Sequence, residues 1–370
     1  MIPLSIPKIE GNEWKYIKEC LDTNWVSSAG SYVDKFEIDF AKYLKCEEAV
    51  VTMNGTAALE LALRTLNIGE GDEVIVPSMT FISPVNTIRY VGAEPVFIDV
   101  CSDTWVMDTN KIEEMITEKT KAIMPIHIYG QPVDMDKVMK IAKKYNLYVI
   151  EDATEGLGSK YKGKAVGTIG DIGCFSFNGN KLITTGAGGM LVSNNTKFTK
   201  KAKYLSTQTK TILENGAMHH EEIGYNYRMP NILAAMGCAQ LEKIDEYIRI
   251  KKENAEFYNE LLKGIKGIRL IKQECNIENV NWLYSIVLEN NFSISRDELI
   301  KKLKNDGIQT RPFFMAVHKM NPYLKYKCGE MKNTEYVVEN GINLPSSISI
   351  TKEEIELICD KIKKYAIGDM

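Results

Sequence analysis

Residues 49–66, AVVTMNGTAALELALRTL, decide how the chain is read. A β-branched run ends at Met53, a turn through Asn54 and Gly55 follows, and from there apolar residues recur at three- and four-residue intervals, as on one face of a helix. The same unit returns downstream. The runs EVIVP (73–77), PVFIDV (95–100), KAIMPI (121–126) and LYVIED (147–152) are separated by helical spacing such as DMDKVMKIAKKY (134–145). This alternation predicts an α/β fold with a mainly parallel sheet covered by helices on both faces. Ligands of such sheets gather beyond the carboxyl ends of the strands, so the residues just past each strand are the candidates for chemistry.

The bulk properties narrow what those residues can hold. With 370 residues, 44% of them hydrophobic, the chain can bury a sizeable core and predicts a large domain plus a smaller one. We expect residues 1–240 to form the large domain with an N-terminal arm, and 241–370 a long helix followed by a small α+β domain. Lys plus Arg number 46 against 49 Asp plus Glu. A net charge of -3 gives no bulk attraction to nucleic acid or an anionic membrane, so an anionic ligand must be held by local donors. No apolar run reaches bilayer length, and the cytoplasm is the expected compartment. The eight cysteines lie far apart without a C-x-x-C pair, and the four histidines lack ligand spacing. Buried or half-buried free thiols and no metal are the expectation.

Each strand end offers one chemical part. Gly55, Thr56 and Ala57 open a helix, where backbone N–H groups without intrahelical partners can cradle a phosphate. Phe81 follows the second strand, where its ring can cover a flat heterocycle or simply join the core. The run LYVIED ends in Glu151 and Asp152, with Glu155 close behind. A carboxylate there needs a cationic partner, either a distant arginine or a ligand such as the protonated ring nitrogen of a pyridine cofactor. In FSFNGNKLITTGAGGM (175–190) a turn delivers Lys181 into a glycine-rich stretch where backbone and ligand can approach closely. A lysine held partly neutral can condense with a carbonyl, and Ser176 adds a hydroxyl to the cradle. Gly158 to Lys164 also matches the G-x-x-x-x-G-K of a triphosphate loop. There Ala165 replaces the Mg²⁺-binding hydroxyl, and SKYKGKAVG alternates like a hairpin, so no such loop is expected. Phosphate cradle, aromatic, acid and lysine together read as a pyridoxal phosphate site.

These segments, with GYNYRMPNILAAMG (224–237) and LPSS (344–347), resemble the DegT/DnrJ/EryC1/StrS sugar aminotransferases over nearly the whole chain. The resemblance implies a fold-type I pyridoxal phosphate (PLP) enzyme with a seven-stranded, mainly parallel sheet. Lys181 would bond the cofactor, Asp152 pair with its ring nitrogen, Phe81 stack on the ring and Glu155 lie near the ring hydroxyl. Gly55, Thr56, Ala57 and Ser176 would hold the phosphate, Asn226 would reach the neighbouring subunit's phosphate in a homodimer, and His318 would line the sugar pocket. WVSSAGSYVDKFE, STQTK and HEEIGYNYRMPNI are most similar to the branch that makes 4-amino sugars for legionaminic acid. The implied reaction converts a nucleotide-linked 4-keto-6-deoxy sugar to the 4-amino sugar with L-glutamate as donor. A GDP-perosamine or UDP-bacillosamine type of aminotransferase is the alternative, and a non-catalytic regulatory protein on the same fold is the reading from another class. Ala187 departs from the family's TTGEGG.

Overall fold

The computed structural model describes residues 1–272 and 274–367. Its centre is a seven-stranded sheet of β1 (Glu48–Thr52), β2 (Glu73–Pro77), β3 (Glu94–Ile98), β4 (Thr120–Ile123), β5 (Tyr148–Asp152), β6 (Ile172–Ser176) and β7 (Gly189–Ser193). The spatial order is β1-β7-β6-β5-β4-β2-β3, with β7 antiparallel to both neighbours and the other pairings parallel. All five runs read from sequence are strands of this sheet. Their near-continuous apolar character matches strands buried on both faces.

Helices close the sheet: α1 (Glu13–Asp22), α2 (Ser31–Leu44), α3 (Gly55–Thr65), α4 (Ile82–Tyr90), α5 (Met135–Tyr145), α6 (Thr196–Ser206) and α7 (Asn231–Leu241). In α5 the buried residues are Met135, Val138, Ile141 and Ala142, one stripe at helical spacing. Its start is capped by the Asp134 side chain, and Asn146 in the left-handed region ends it. Almost every residue of α3 is buried, because this helix lies across the sheet. The basic stretch at 194–203 begins α6, and the segment from Pro230 to Leu262 is two helices, α7 and then α8 (Ile244–Leu262).

Helix α8 runs from one apolar core into another. Ile244 and Tyr247 pack in the large core, whereas Ala255, Tyr258 and Leu262 pack in a second one. The second core is covered by a four-stranded antiparallel sheet of β8 (Ile268–Leu270), β9 (Tyr284–Leu288), β10 (Arg311–Pro312) and β11 (Gly341–Leu344), in the order β8-β9-β11-β10. Helices α9 (Arg296–Asn305), α10 (Lys332–Asn340) and α11 (Lys352–Ile367) accompany these strands. Ile2 also joins the second core, so the start of the chain is tied to its far end. The Gly158–Lys164 stretch is a hairpin of Lys160–Tyr161 and Lys164–Ala165, antiparallel and without a helix, so the triphosphate-loop match is a coincidence of spacing.

The eight cysteines are free, but Cys275 and Cys328 are exposed, contrary to expectation, because both stand in segments outside helices and strands. Among the described residues no His, Cys, Asp and Glu cluster could hold a metal ion, and no helix is long and apolar enough to cross a membrane.

Candidate active site

A cavity of about 360 Å³ opens at the carboxyl ends of β1, β2, β5 and β6, with Trp282, Arg311 and Phe314 closing it from the small sheet's side. On the β1 side Asn54 has an extended backbone and caps α3, its Oδ1 accepting from Ala57 N–H at 2.8 Å. That bond commits Ala57, which does not line the cavity. The cradle is therefore narrower than its three expected members: Gly55 and Thr56, the first residues of α3, have no intrahelical acceptor for their N–H groups. A Cβ on Gly55 would stand 2.9 Å from Ser176 Cβ and 3.2 Å from Thr154 Cγ2, so glycine is what keeps the cradle open. Thr56 Oγ1 is 2.6 Å from Ser83 Oγ, and Ser176 at the end of β6 completes the rim.

Glu151 and Asp152 end β5 and, one residue apart on a strand, face opposite sides. Glu151 accepts from the N–H groups of Gly167, Ile169 and Gly170 at 2.6–2.8 Å and lies 3.0 Å from His127 Nε2. His127 Nδ1 accepts from Val133 N–H, so Nε2 carries the proton that His127 donates to Glu151. Asp152, only 2% exposed, receives its hydrogen bond from Thr154 N–H at 3.0 Å and lines the cavity. Burial raises its pKa, while Thr154 and nearby Lys181 pull it back.

Lys181 follows the turn after β6 and is half-buried, its side chain 13% exposed. Its Nζ lies 3.7 Å from Glu155 Oε1 and 4.0 Å from the centre of the Trp282 ring. Burial is the main influence on its pKa and lowers it; Glu155 and Asp152 oppose that. Burial likewise raises Glu155, to about 7, against the attraction of Lys181. Glu155 is anchored by Tyr129, whose N–H donates to Oε2 at 2.7 Å. Tyr129 sits at φ 52, ψ 15, a conformation that costs a bulky residue about 1–3 kcal/mol. Its hydroxyl accepts from Phe314 N–H, and the two rings stack at 5.3 Å. Phe81, 55% exposed at the start of α4, leans on Phe314 at 5.7 Å and lines the cavity.

Lys181, Asp152, Glu155, Phe81, Gly55, Thr56 and Ser176 thus meet at one cavity. Three expected residues do not, the first being Ala57, whose N–H is committed to Asn54. Asn226 is exposed, on the segment whose Tyr227 carbonyl accepts from Met53 N–H beside the cradle. His318 is held away by Ser78, whose Oγ lies 2.7 Å from Nδ1, and by Glu335 at 3.5 Å. Sequence reading missed Tyr129, Trp282, Arg311 and Phe314. Tyr129 follows β4, so the strand-end rule could have found it.

A model of the DegT/DnrJ/EryC1/StrS aminotransferase family matches residues 7–363. The chain belongs to that family. It is 44% identical over 364 residues to GDP-perosamine synthase of Escherichia coli O157:H7, covering 98% of each chain. It is 41% identical to GDP-perosamine synthase of Caulobacter vibrioides, covering 96% of each. A solved structure described as a sugar aminotransferase, Spr1654 of Streptococcus pneumoniae in its PMP form, superposes with a TM-score of 0.94 at 27% identity, covering 99% of each chain. The chain is a PLP-dependent sugar aminotransferase on the fold-type I scaffold.

The residues present fit that cofactor. A helix start opened by glycine suits a phosphate. A buried carboxylate whose hydrogen bonds among the described residues come from Thr154 alone suits a cationic ring nitrogen. An amine with its pKa lowered suits attack on an aldehyde.

Proposed function

We propose that this enzyme transfers the amino group of L-glutamate to C4 of a GDP-linked 4-keto-6-deoxy sugar, as a homodimer. The observation that carries the chemistry is half-buried Lys181 and buried Asp152 lining one cavity, with the acid otherwise sparsely bonded. The choice of sugar rests on the two GDP-perosamine synthases at 44% and 41% identity, which favour this reading over the legionaminic acid branch.

When bound, PLP supplies an electron sink that stabilises negative charge on the carbon losing its proton. The chain does the rest. Asp152 would keep the ring nitrogen protonated, and Lys181 Nζ would take the proton from the donor carbon and return one to the sugar carbon. Burial favours this by lowering the Lys181 pKa. Glu155, its carboxylate fixed by Tyr129 N–H, would lie near the ring hydroxyl. Phe81 would cover one face, and Gly55, Thr56 and Ser176 would hold the phosphate. Asn226, exposed beside the cradle, would reach the phosphate held by the second subunit.

Purified enzyme with glutamate and a panel of UDP- and GDP-linked 4-keto sugars, read by mass spectrometry, tests this. Amination of the GDP-linked 6-deoxy sugar in preference to the UDP-linked 2-acetamido sugars is expected. The reverse preference would overturn the sugar assignment, and full turnover by Lys181→Ala would overturn the chemistry.

A further inference from the structure

Lys251 lies at the middle of α8, between the two cores, and is only 4% exposed. A buried ammonium is costly unless paired, yet its partners among the described residues are two carbonyls. Nζ donates to Trp282 O at 2.7 Å and to Ser346 O at 2.5 Å. A cavity of about 10 Å³ between Lys251, Asn254 and Asn281 has room for one water. Burial alone lowers this lysine's pKa, to about 7.

What those carbonyls belong to gives the arrangement meaning. The Trp282 ring faces Lys181 Nζ at 4.0 Å, and its Nε1–H donates to the carbonyl of Asn180 at 2.7 Å. Asn180 immediately precedes Lys181, and Ser5 Oγ donates to the same carbonyl at 3.2 Å. Ser346, the second partner of Lys251, donates its N–H to Leu4 O at 2.7 Å, one residue from Ser5. Two routes therefore lead from one ammonium to the peptide that carries Lys181, one through Trp282 and the other through the residue 4–5 strap.

We propose that Lys251 is a positioning residue for Lys181: by tying the Trp282 and Ser346 loops together it holds the indole face against the Lys181 nitrogen and clamps the Asn180 carbonyl. This rests on the reading of Lys181 given above. It fits a cost that folding has no other reason to accept, because an apolar residue at 251 would pack between the cores without burying a charge.

Lys251→Met keeps the stem and removes the donors. In the cofactor-loaded enzyme the visible band should then titrate at a pH lower by about half a unit or more, because a displaced ring no longer favours the protonated nitrogen. The half-reaction with L-glutamate should slow by about 100-fold, with the saturating glutamate concentration little changed. Competitive amine labelling of the cofactor-free chain, read on the Lys181 peptide, should give the same direction of pKa change. Trp282→Phe should move the same readouts, and the double variant should be no worse than the poorer single one. A Lys251→Met enzyme within twofold of wild type, or fully additive losses, would overturn the proposal. Should Lys251→Met not fold, Trp282→Phe and Ser5→Ala carry the test, and unchanged titration and rate in both would overturn it. An inactive Lys181→Ala beside an unaffected Lys251→Met refutes the positioning role alone; an active Lys181→Ala refutes the reading beneath it.

Discussion

Glu151 and Asp152 leave the end of β5 on opposite faces, and the two environments they enter follow opposite rules. Around Glu151 three backbone N–H groups and His127 converge, so the carboxylate is saturated by the protein. Around Asp152 the described residues supply Thr154 and otherwise leave the acid facing a cavity. Both are buried, and both are equally conspicuous in sequence. The difference teaches that a buried charge with its bonding complete serves the fold, whereas one left incomplete serves a ligand.

That contrast can be broken by four measurements. The largest effect is expected for Asp152→Asn, which should slow the glutamate half-reaction by about 100- to 1000-fold while leaving chemical stability within about 1 kcal/mol of wild type. Glu151→Gln should do the reverse, costing about 3 kcal/mol in denaturant unfolding because backbone donors lose their acceptor. If Asp152→Asn proves the more destabilising of the two, the distinction between the faces is wrong.

Glu155 sharpens the comparison, since it is anchored by one N–H and also faces Lys181. Its pKa is raised in the fold from 4.5 to about 7, so the folded state holds the proton more tightly than the unfolded chain. Stability from this group is present below the unfolded pKa and is lost as pH rises toward the folded one. The cofactor-free Glu155→Gln variant should therefore gain about 2 kcal/mol relative to wild type between pH 5 and pH 8, measured by denaturant titration at both. A difference independent of pH would place the carboxylate among the saturated kind. Smallest is Gly55→Ala, where a methyl 2.9 Å from Ser176 Cβ crowds the cradle. It should weaken PLP binding about tenfold in equilibrium titration and leave folding intact.

The sheet and its strand ends were legible because period and strand termination are local properties. Gly55, Asp152, Ser176 and Lys181 each follow or end a run whose β character is plain in sequence, and the topology brings those ends together. Glu151 was legible as a carboxylate but not as the satisfied one, because its donors at 167–170 belong to a loop whose folding no local pattern announces. Trp282 and Arg311 were missed for a related reason. They come from the smaller sheet's side, and Trp282 meets Asn180 across 102 positions, a distance at which one aromatic before a strand looks like any core residue. His318 shows the converse. It stands in a stretch that resembles a pocket wall, yet a buried serine takes hold of its ring first.

The strap at residues 2–6 has a consequence for how the molecule is made. Leu4 N–H donates to Gln309 Oε1 across 305 positions, and Ile6 N–H to Ser347 Oγ across 341. These early residues must wait through most of synthesis before their docking partners exist, and long-range closure of this kind is slow. The nascent chain can assemble its large sheet sooner, but the strap that bears on Asn180 can close only after the segment carrying Gln309 and Ser347 has been made.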